Sequence, residues 1–586
     1  MNIRLRRSVL GLTALVVAAS GLAGAGPGSA SATSTVPPYE PDPGSIGALT
    51  FYDASGSVVT GGSINDAPFA AYVQAGTPGR TGDTKATLFG FLPKSGVPTG
   101  AFSGEQLTAS TTYPNPSAPA ALKASPLPLV SLTSADETLA TLISDFPNTA
   151  TDAYQGLYQL RLKTSGVGQA AGVAYDSADI QVTGSTWTLV YSAAPASTYT
   201  PLTPCRIFDT RTGSGNCFGA ATTSPGAIGA GGKLSVQVAG VGGVPANATA
   251  VVLNLTAVGA TASTFVTAWP DGTTQPTVSS LNVAGPAATP NLAVVPIGKG
   301  GVVDFFNKAG TVDLIADVSG YYSSDATGSL YTATGPCRVF DTRSAGLCTG
   351  APTLTPGKIP AGGTLAVKVT GAGGVPTTAT AVVLNLTAVG ATKPTFITAW
   401  PSGATQPTVS NLNVNNASPI PNLAIVPVGA GGVVNFFNNA GAVHLIGDVA
   451  GYFSPSTGAR YTTTGPCRVF DSRIGSGICS GAAAFAAGPI AGSGVLKVKV
   501  AGVGGVSSTA TAVVLNLTAV GATNPTFVTA WADGTAQPTV SNLNVNNAAA
   551  IPNLAIVPVG ADGSIDLFNN SGSVNLIGDV AGYFAP

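Results

Sequence analysis

Apolar and polar positions in this chain alternate over short runs. Stretches rich in Val, Thr, Phe and Leu are broken roughly every 8 to 15 residues by Gly, Pro, Asn or Asp. No stretch carries the three-to-four-residue apolar spacing of a long amphipathic helix. Between residues 331 and 453 the pattern predicts eight strands: Cys337–Arg343, Leu365–Thr370, Ala379–Val389, Thr395–Trp400, Val409–Val414, Leu423–Val428, Val433–Asn438 and Val443–Tyr452. Eight strands in about 125 residues read as an all-β fold, a β-sandwich or a partly closed barrel.

The same pattern recurs. The openings Pro204–Arg211 (PCRIFDTR), Pro336–Arg343 (PCRVFDTR) and Pro466–Arg473 (PCRVFDSR) lie 132 and 130 residues apart. Each is followed in the same order by AVVLNLTAV (from 250, 381 and 512), TAW (267, 398, 529), LNV (281, 412, 543) and PNLA (290, 421, 552), and by a closing stretch through Asp317, Asp448 or Asp579. The modules therefore span about 199–322, 331–453 and 461–584. Each exceeds a solenoid unit and is long enough to bury its own core. Short polar linkers at 323–330 and 454–460 predict tandem beads in a semi-extended rod.

Residues 45–193 share the texture without the motifs and read as a mainly β N-terminal domain. Strands are expected at Leu49–Tyr52, Ala86–Leu92, Tyr158–Lys163, Ile180–Val182 and Trp187–Val190, with one short helix at Ser134–Ile143 capped by Ser134. Residues 33–44, with Pro37, Pro38, Pro41 and Pro43, read as an extended stalk. Before them, Arg4, Arg6 and Arg7, the apolar run Val9–Ala19 and the small residues Ala30-Ser31-Ala32 have the order of a secretory signal peptide over 1–32. No later run is long and apolar enough to span a bilayer. Without a lipid-bearing Cys near 32 or an apolar tail before Pro586, the expectation is a secreted protein, extracellular or loosely held at the cell surface.

Only 8 % of the 586 residues are charged. Without the three leader arginines, the 24 basic residues fall to 21 against 25 acidic ones. So sparse and slightly acidic a surface argues against nucleic acid or anionic membrane as partner. The six cysteines form close pairs, Cys205 with Cys217, Cys337 with Cys348 and Cys467 with Cys479, one disulfide per module in an exported chain. A metal site would need His or further Cys beside them. No metal or cofactor is expected.

Candidate chemistry is thin. The one histidine, His444, is replaced by Asp313 and Asn575 in the other modules, so a His-dependent triad has no base that belongs to the module. A glycosidase needs only two carboxylates. Asp53, Asp83, Glu105, Asp136, Glu137, Asp145, Asp176 and Asp179 are available in 45–193, and turn or cap roles account for them better. No catalytic residue is assigned. The Arg-x-x-Asp-x-Arg clusters (Arg206, Asp209, Arg211; Arg338, Asp341, Arg343; Arg468, Asp471, Arg473) place Asp and the second Arg on the face of the Cys, by strand alternation. An inward charge needs a counterion, and Asp317, Asp448 and Asp579 on the closing strand supply one. The expected role is to fix the register of first and last strands; ligand or Ca²⁺ binding is the alternative. Trp269, Trp400 and Trp531, one per module beside a turn, are candidate sugar-stacking platforms or else core anchors.

The ordered set PCRVFDTR, GVP-x-x-ATAVVLNLTAV, PNLAIVPVG and DVAGYF resembles a repeat module of secreted actinobacterial proteins. LTFYDASGSVVT and VTGSTWT in the N-terminal region are similar to a domain of exported actinobacterial proteins. The resemblance implies secretion and an accessory, non-catalytic role. Three functions remain: multivalent adhesion to polysaccharide or cell envelope, a structural spacer or matrix protein, and a carbohydrate-active hydrolase with its site in 45–193. Ligand and oligomeric state stay open.

Overall fold

The computed structural model describes residues 37, 39, 42 and 44–586, save 78, 81, 124, 126, 167, 173, 193–195, 221–224, 325–326 and 547. The signal-peptide reading of 1–32 lies outside the described residues. The fold is all-β.

The N-terminal domain is an eleven-stranded half-barrel sheet. Its backbone path runs Ser103–Gln106, Lys85–Leu92, Leu157–Ser165, Tyr175–Thr183, Ser45–Tyr52, Tyr72–Ala75 and Leu129–Ser131. Phe51, Leu88, Leu160, Ile180 and Trp187 lie in its core. The helix forms at Leu139–Asp145, capped by the Thr138 side chain, which accepts from the Thr141 backbone N–H. Ser134 lies too early to cap it. Nor does the stalk reading hold at the described residues. Asp42 is buried and accepts from Tyr175 Oη (2.6 Å) and Thr99 Oγ1 (2.7 Å), and Tyr39 Oη donates to Asp179. Pro37 is buried as well.

Each module is a two-layer β-sandwich, which decides between sandwich and barrel. In module two the strands are Leu330–Asp341, Thr364–Lys368, Ala381–Val389, Thr395–Pro401, Leu412–Val414, Ile420–Pro427, Val433–Asn438 and His444–Ser454. One sheet has the order first-eighth-third-sixth and the other second-seventh-fourth-fifth. The first strand starts seven residues before the expected Cys337. Its leading half, Leu330–Ala333, pairs with Gly451–Ser454 across a register shift at Ala333/Cys337.

The rod does not form. The three modules close into a ring of six sheets around a shared core. Tyr199, Val252 and Leu292 of module one meet Tyr331, Val383 and Leu423 of module two and Tyr461, Val514 and Leu554 of module three. Three close ring pairs tie the modules together, Tyr199–Phe453 (4.3 Å), Tyr331–Phe584 (4.2 Å) and Tyr322–Tyr461 (4.1 Å between centroids). The linkers join in: Ser197 bridges to Tyr461, Tyr199 to Ser329 and Tyr331 to Ala459, a closed cycle of backbone pairs. The physical reason is the third strand. AVVLNLTAV has no polar face, so one sandwich covers half of it and the neighbouring modules must cover the rest. In module two Val382, Leu384 and Leu386 face the module's own core, whereas Ala381 and Val383 face the ring core.

Candidate functional site at the module junctions

Buried amides set the junctions. Asn422 on the sixth strand of module two donates to Asn254 Oδ1 of module one (2.8 Å) and accepts from the Leu292 N–H (3.2 Å). Asn553 does the same to Asn385 and Leu423, and Asn291 to Asn516 and Leu554. Thus each sixth strand, an edge of its own sheet, has an edge N–H satisfied by the next module. The amides of Asn254, Asn385 and Asn516 donate onward to the Ser410, Ser541 and Ser279 carbonyls.

Beside this amide cycle lie the Arg–Asp clusters. Arg206, Arg338 and Arg468 bridge Asp317, Asp448 and Asp579 at 2.9 Å to Asp209, Asp341 and Asp471 at 3.3 to 3.5 Å. First and last strands are therefore tied by an ion pair, but through the first arginine of each motif. The expected inward position of Arg211, Arg343 and Arg473 is corrected: their side chains are 42 to 45 % exposed and clamp only Asp209, Asp341 and Asp471. A register shift between Arg206 and Phe208, repeated in each module, interrupts the alternation on which that expectation rested. Burial pushes the Asp317, Asp448 and Asp579 carboxyls above the ordinary carboxylate range, with the bridging arginines pulling back. At Asp209, Asp341 and Asp471 burial is the largest single effect and pushes up too, but the outer arginines' hydrogen bonds and the charges of both arginines together outweigh it and hold them below that range.

The three disulfides are present as paired in sequence, and each clamps a surface loop. They suit an oxidising, extracellular environment. Gly373 packs on Cys337–Cys348 with φ +57°, where a Cβ would sit 2.8 Å from one sulfur and 3.0 Å from the other. Gly242 and Gly504 do the same, which gives the glycine cluster of each module a packing role. At the tip of the first loop Phe218 is 92 % exposed. The neighbouring tip position carries Asn216, Leu347 or Ile478, and the latter two are also exposed. Asn216 accepts from the Arg206 N–H and donates to Thr408 Oγ1 of module two (2.7 Å). The disulfide loop of module one therefore adjoins the loop between the fourth and fifth strands of module two.

That second loop was missed in the sequence reading. The stacking role of the tryptophans does not hold: Trp269, Trp400 and Trp531 are only 3 to 6 % exposed. Their indole N–H groups instead donate to the carbonyls of Thr273, Ala404 and Thr535, pinning the start of the loop. Its end is pinned by Thr267, Thr398 and Thr529, which donate to the carbonyls of Val278, Val409 and Val540 at 2.6 Å. Between the pins lies Gln-Pro-Thr in every module, with Gln275, Gln406 and Gln537 exposed.

Most of the other candidates have structural partners; Glu105 is the exception, its Oε1 buried without a hydrogen bond among the described residues and its carboxyl pushed above the ordinary range by burial, with Asp145 and Glu137 adding to the shift. His444 Nδ1 lies 3.0 Å from Thr342 Oγ1, and Asp313 and Asn575 bond the equivalent Thr210 and Ser472. Asp53 and Asp136 accept from turn N–H groups, Asp83 pairs with Arg80, and buried Asp176 accepts from Gly76 and Thr77. Burial pushes the Asp176 carboxyl up to about 7 against those hydrogen bonds. Among the described residues there is no metal-holding cluster of His, Cys, Asp and Glu, and no helix is long and apolar enough to cross a membrane. A small, partly open cavity of about 30 Å³ between modules one and three, beside Ser279, Ser280 and Asn516, has room for more than one water.

No family model and no curated protein matches the chain. Among solved structures it is similar to one from Sulfolobus Turreted Icosahedral Virus, at 10 % identity over 70 % of this chain and 90 % of that chain, with a TM-score of 0.14. A triple jelly roll structure from an archaeal virus gives 11 % identity over 68 % and 92 %, with a TM-score of 0.15. The N-terminal CBM22-1-CBM22-2 tandem domain of Paenibacillus barcinonensis Xyn10C gives 13 % identity over 44 % and 94 %, with a TM-score of 0.13. At such TM-scores these likenesses carry no argument about function.

Proposed function

We propose that this is a secreted, non-catalytic protein that binds polysaccharide or cell envelope through three equivalent faces of one rigid ring. The observation that carries the reading is the closed cycle of amide and backbone bonds, which repeats one surface three times at fixed spacing. Rigid repetition turns weak contacts into retention on a repetitive surface, because the second and third contacts cost no linker entropy. The sparse charge favours an uncharged partner over nucleic acid. The turn and pairing roles of Asp53, Asp83, Asp136 and Asp176 speak against the hydrolase. Burial of the three tryptophans favours the second reading, a matrix or scaffold protein, although a closed ring does not serve as a length spacer.

The test is retention of the purified chain on insoluble polysaccharides and purified actinobacterial cell wall at 0.5 to about 1 M salt, where charge contacts are screened. Retention on one of these supports the adhesive reading. Passage through all of them replaces it with the scaffold reading.

A further inference from the structure

Three copies of a module within one chain show which exposed residues have been held fixed while their surroundings diverged. Most loop positions differ: the exposed turn before the third strand is Ala246, Thr377 or Ser508, and the turn after the seventh is Lys308, Asn439 or Asn570. Among the described residues, four exposed non-glycine positions are identical in all three modules. Two have evident structural work. Arg211, Arg343 and Arg473 clamp an aspartate, and Thr261, Thr392 and Thr523 accept from the N–H groups of Thr311, Ala442 and Ser573. The other two are the Gln and Thr of Gln-Pro-Thr.

Their loop explains its other residues but not these. Val278, Val409 and Val540 are buried anchors, and Ser279, Ser410 and Ser541 receive the interfacial Asn amides. The three Gln carboxamides, by contrast, make no hydrogen bond among the described residues. Of the threonines only Thr408 is engaged, by Asn216 of the adjoining disulfide loop. The exposed carboxamide in all three loops, and the hydroxyls of Thr277 and Thr539, held by a loop pinned at both ends, are pre-organised donors and acceptors without a hydrogen bond among the described residues.

We infer that Gln275, Gln406 and Gln537, with Thr277, Thr408 and Thr539, form three equivalent recognition sites for a neutral, hydroxyl-rich polysaccharide at the module junctions. This rests on the adhesive reading above and names its site and ligand class. Neutrality follows from the junction's charge. Arg206 and Arg211 are balanced by Asp209 and Asp317, so no net field draws an anion. Hydrogen bonding by amide and hydroxyl remains, with the apolar loop tips at Phe218, Leu347 and Ile478 available to pack on a sugar face.

The experiment compares the full chain with the triple variant Q275A/Q406A/Q537A, and with K308A/N439A/N570A on another exposed loop. The supports are microcrystalline cellulose, chitin and, as an anionic polymer, cross-linked polygalacturonate. The unaltered chain is expected to bind a neutral support, the control variant to match it, and the glutamine variant to lose at least about tenfold in affinity at unchanged melting temperature. Equal binding by the glutamine variant overturns the site while leaving the adhesive reading intact. Equal losses in both variants, or retention on polygalacturonate alone, also overturn it. Failure of the unaltered chain on every support and on purified cell wall overturns the adhesive reading itself.

Discussion

The two sheets of each sandwich are built from one repeat and meet opposite surroundings. In the outer sheet the second strand, Thr364–Lys368, alternates exposed and covered positions, as a half-buried strand should. In the inner sheet the third strand, Ala381–Val389, is buried at eight successive positions, including Asn385 and Thr387. One face meets the module's own core and the other meets its neighbours. The module is thus self-sufficient in only one of its layers. A polar amide within an otherwise apolar strand is then the mark of a specified contact: it costs desolvation unless a partner arrives in the right register.

The largest effect should follow from breaking the amide cycle. Asn422→Ala leaves the Leu292 N–H and the Asn254 carbonyl oxygen buried without partners, and should lower the ring's unfolding free energy by about 3 kcal/mol. The outer-sheet change Ala366→Ser should stay within about 0.5 kcal/mol. Denaturant melts of both variants check this, and equal effects would erase the distinction between the sheets.

A smaller effect separates two arginines of one motif. Arg338→Met removes the bridge from Asp341 to buried Asp448 and should cost about 2 kcal/mol. Arg343→Met removes a clamp whose arginine is 42 % exposed and should cost under about 1 kcal/mol. Melting temperatures in the reverse order would return the register role to the outer arginine.

Much of the fold was legible because strand and turn chemistry are local. All eight strands of module two were placed by Val, Thr and Phe runs between Gly, Pro and Asn turns. The early start of the first strand escaped, because Thr334, Gly335 and Pro336 read as a break, whereas Leu330–Ala333 is ordered by pairing with the far end of the module. The ring escaped for a related reason. The linkers were judged by their polarity, but the relevant signal was the two-faced apolarity of AVVLNLTAV and the Asn within it. The tryptophans were seen without their partners: the carbonyls of Thr273, Ala404 and Thr535 turn an apparent stacking platform into a loop anchor. The Gln-Pro-Thr loop was visible as text in all three modules, but its exposure, which makes the identity informative, belongs to the structure.

Small-angle scattering of residues 197–586 separates one closed body of three modules from a row of beads. A compact ring of this length predicts a radius of gyration of about 21 Å. Three modules in line, each of about 14 Å, would give about 30 Å or more. The smaller value is the predicted result; the larger, with an elongated distance distribution, would contradict the ring and restore the rod.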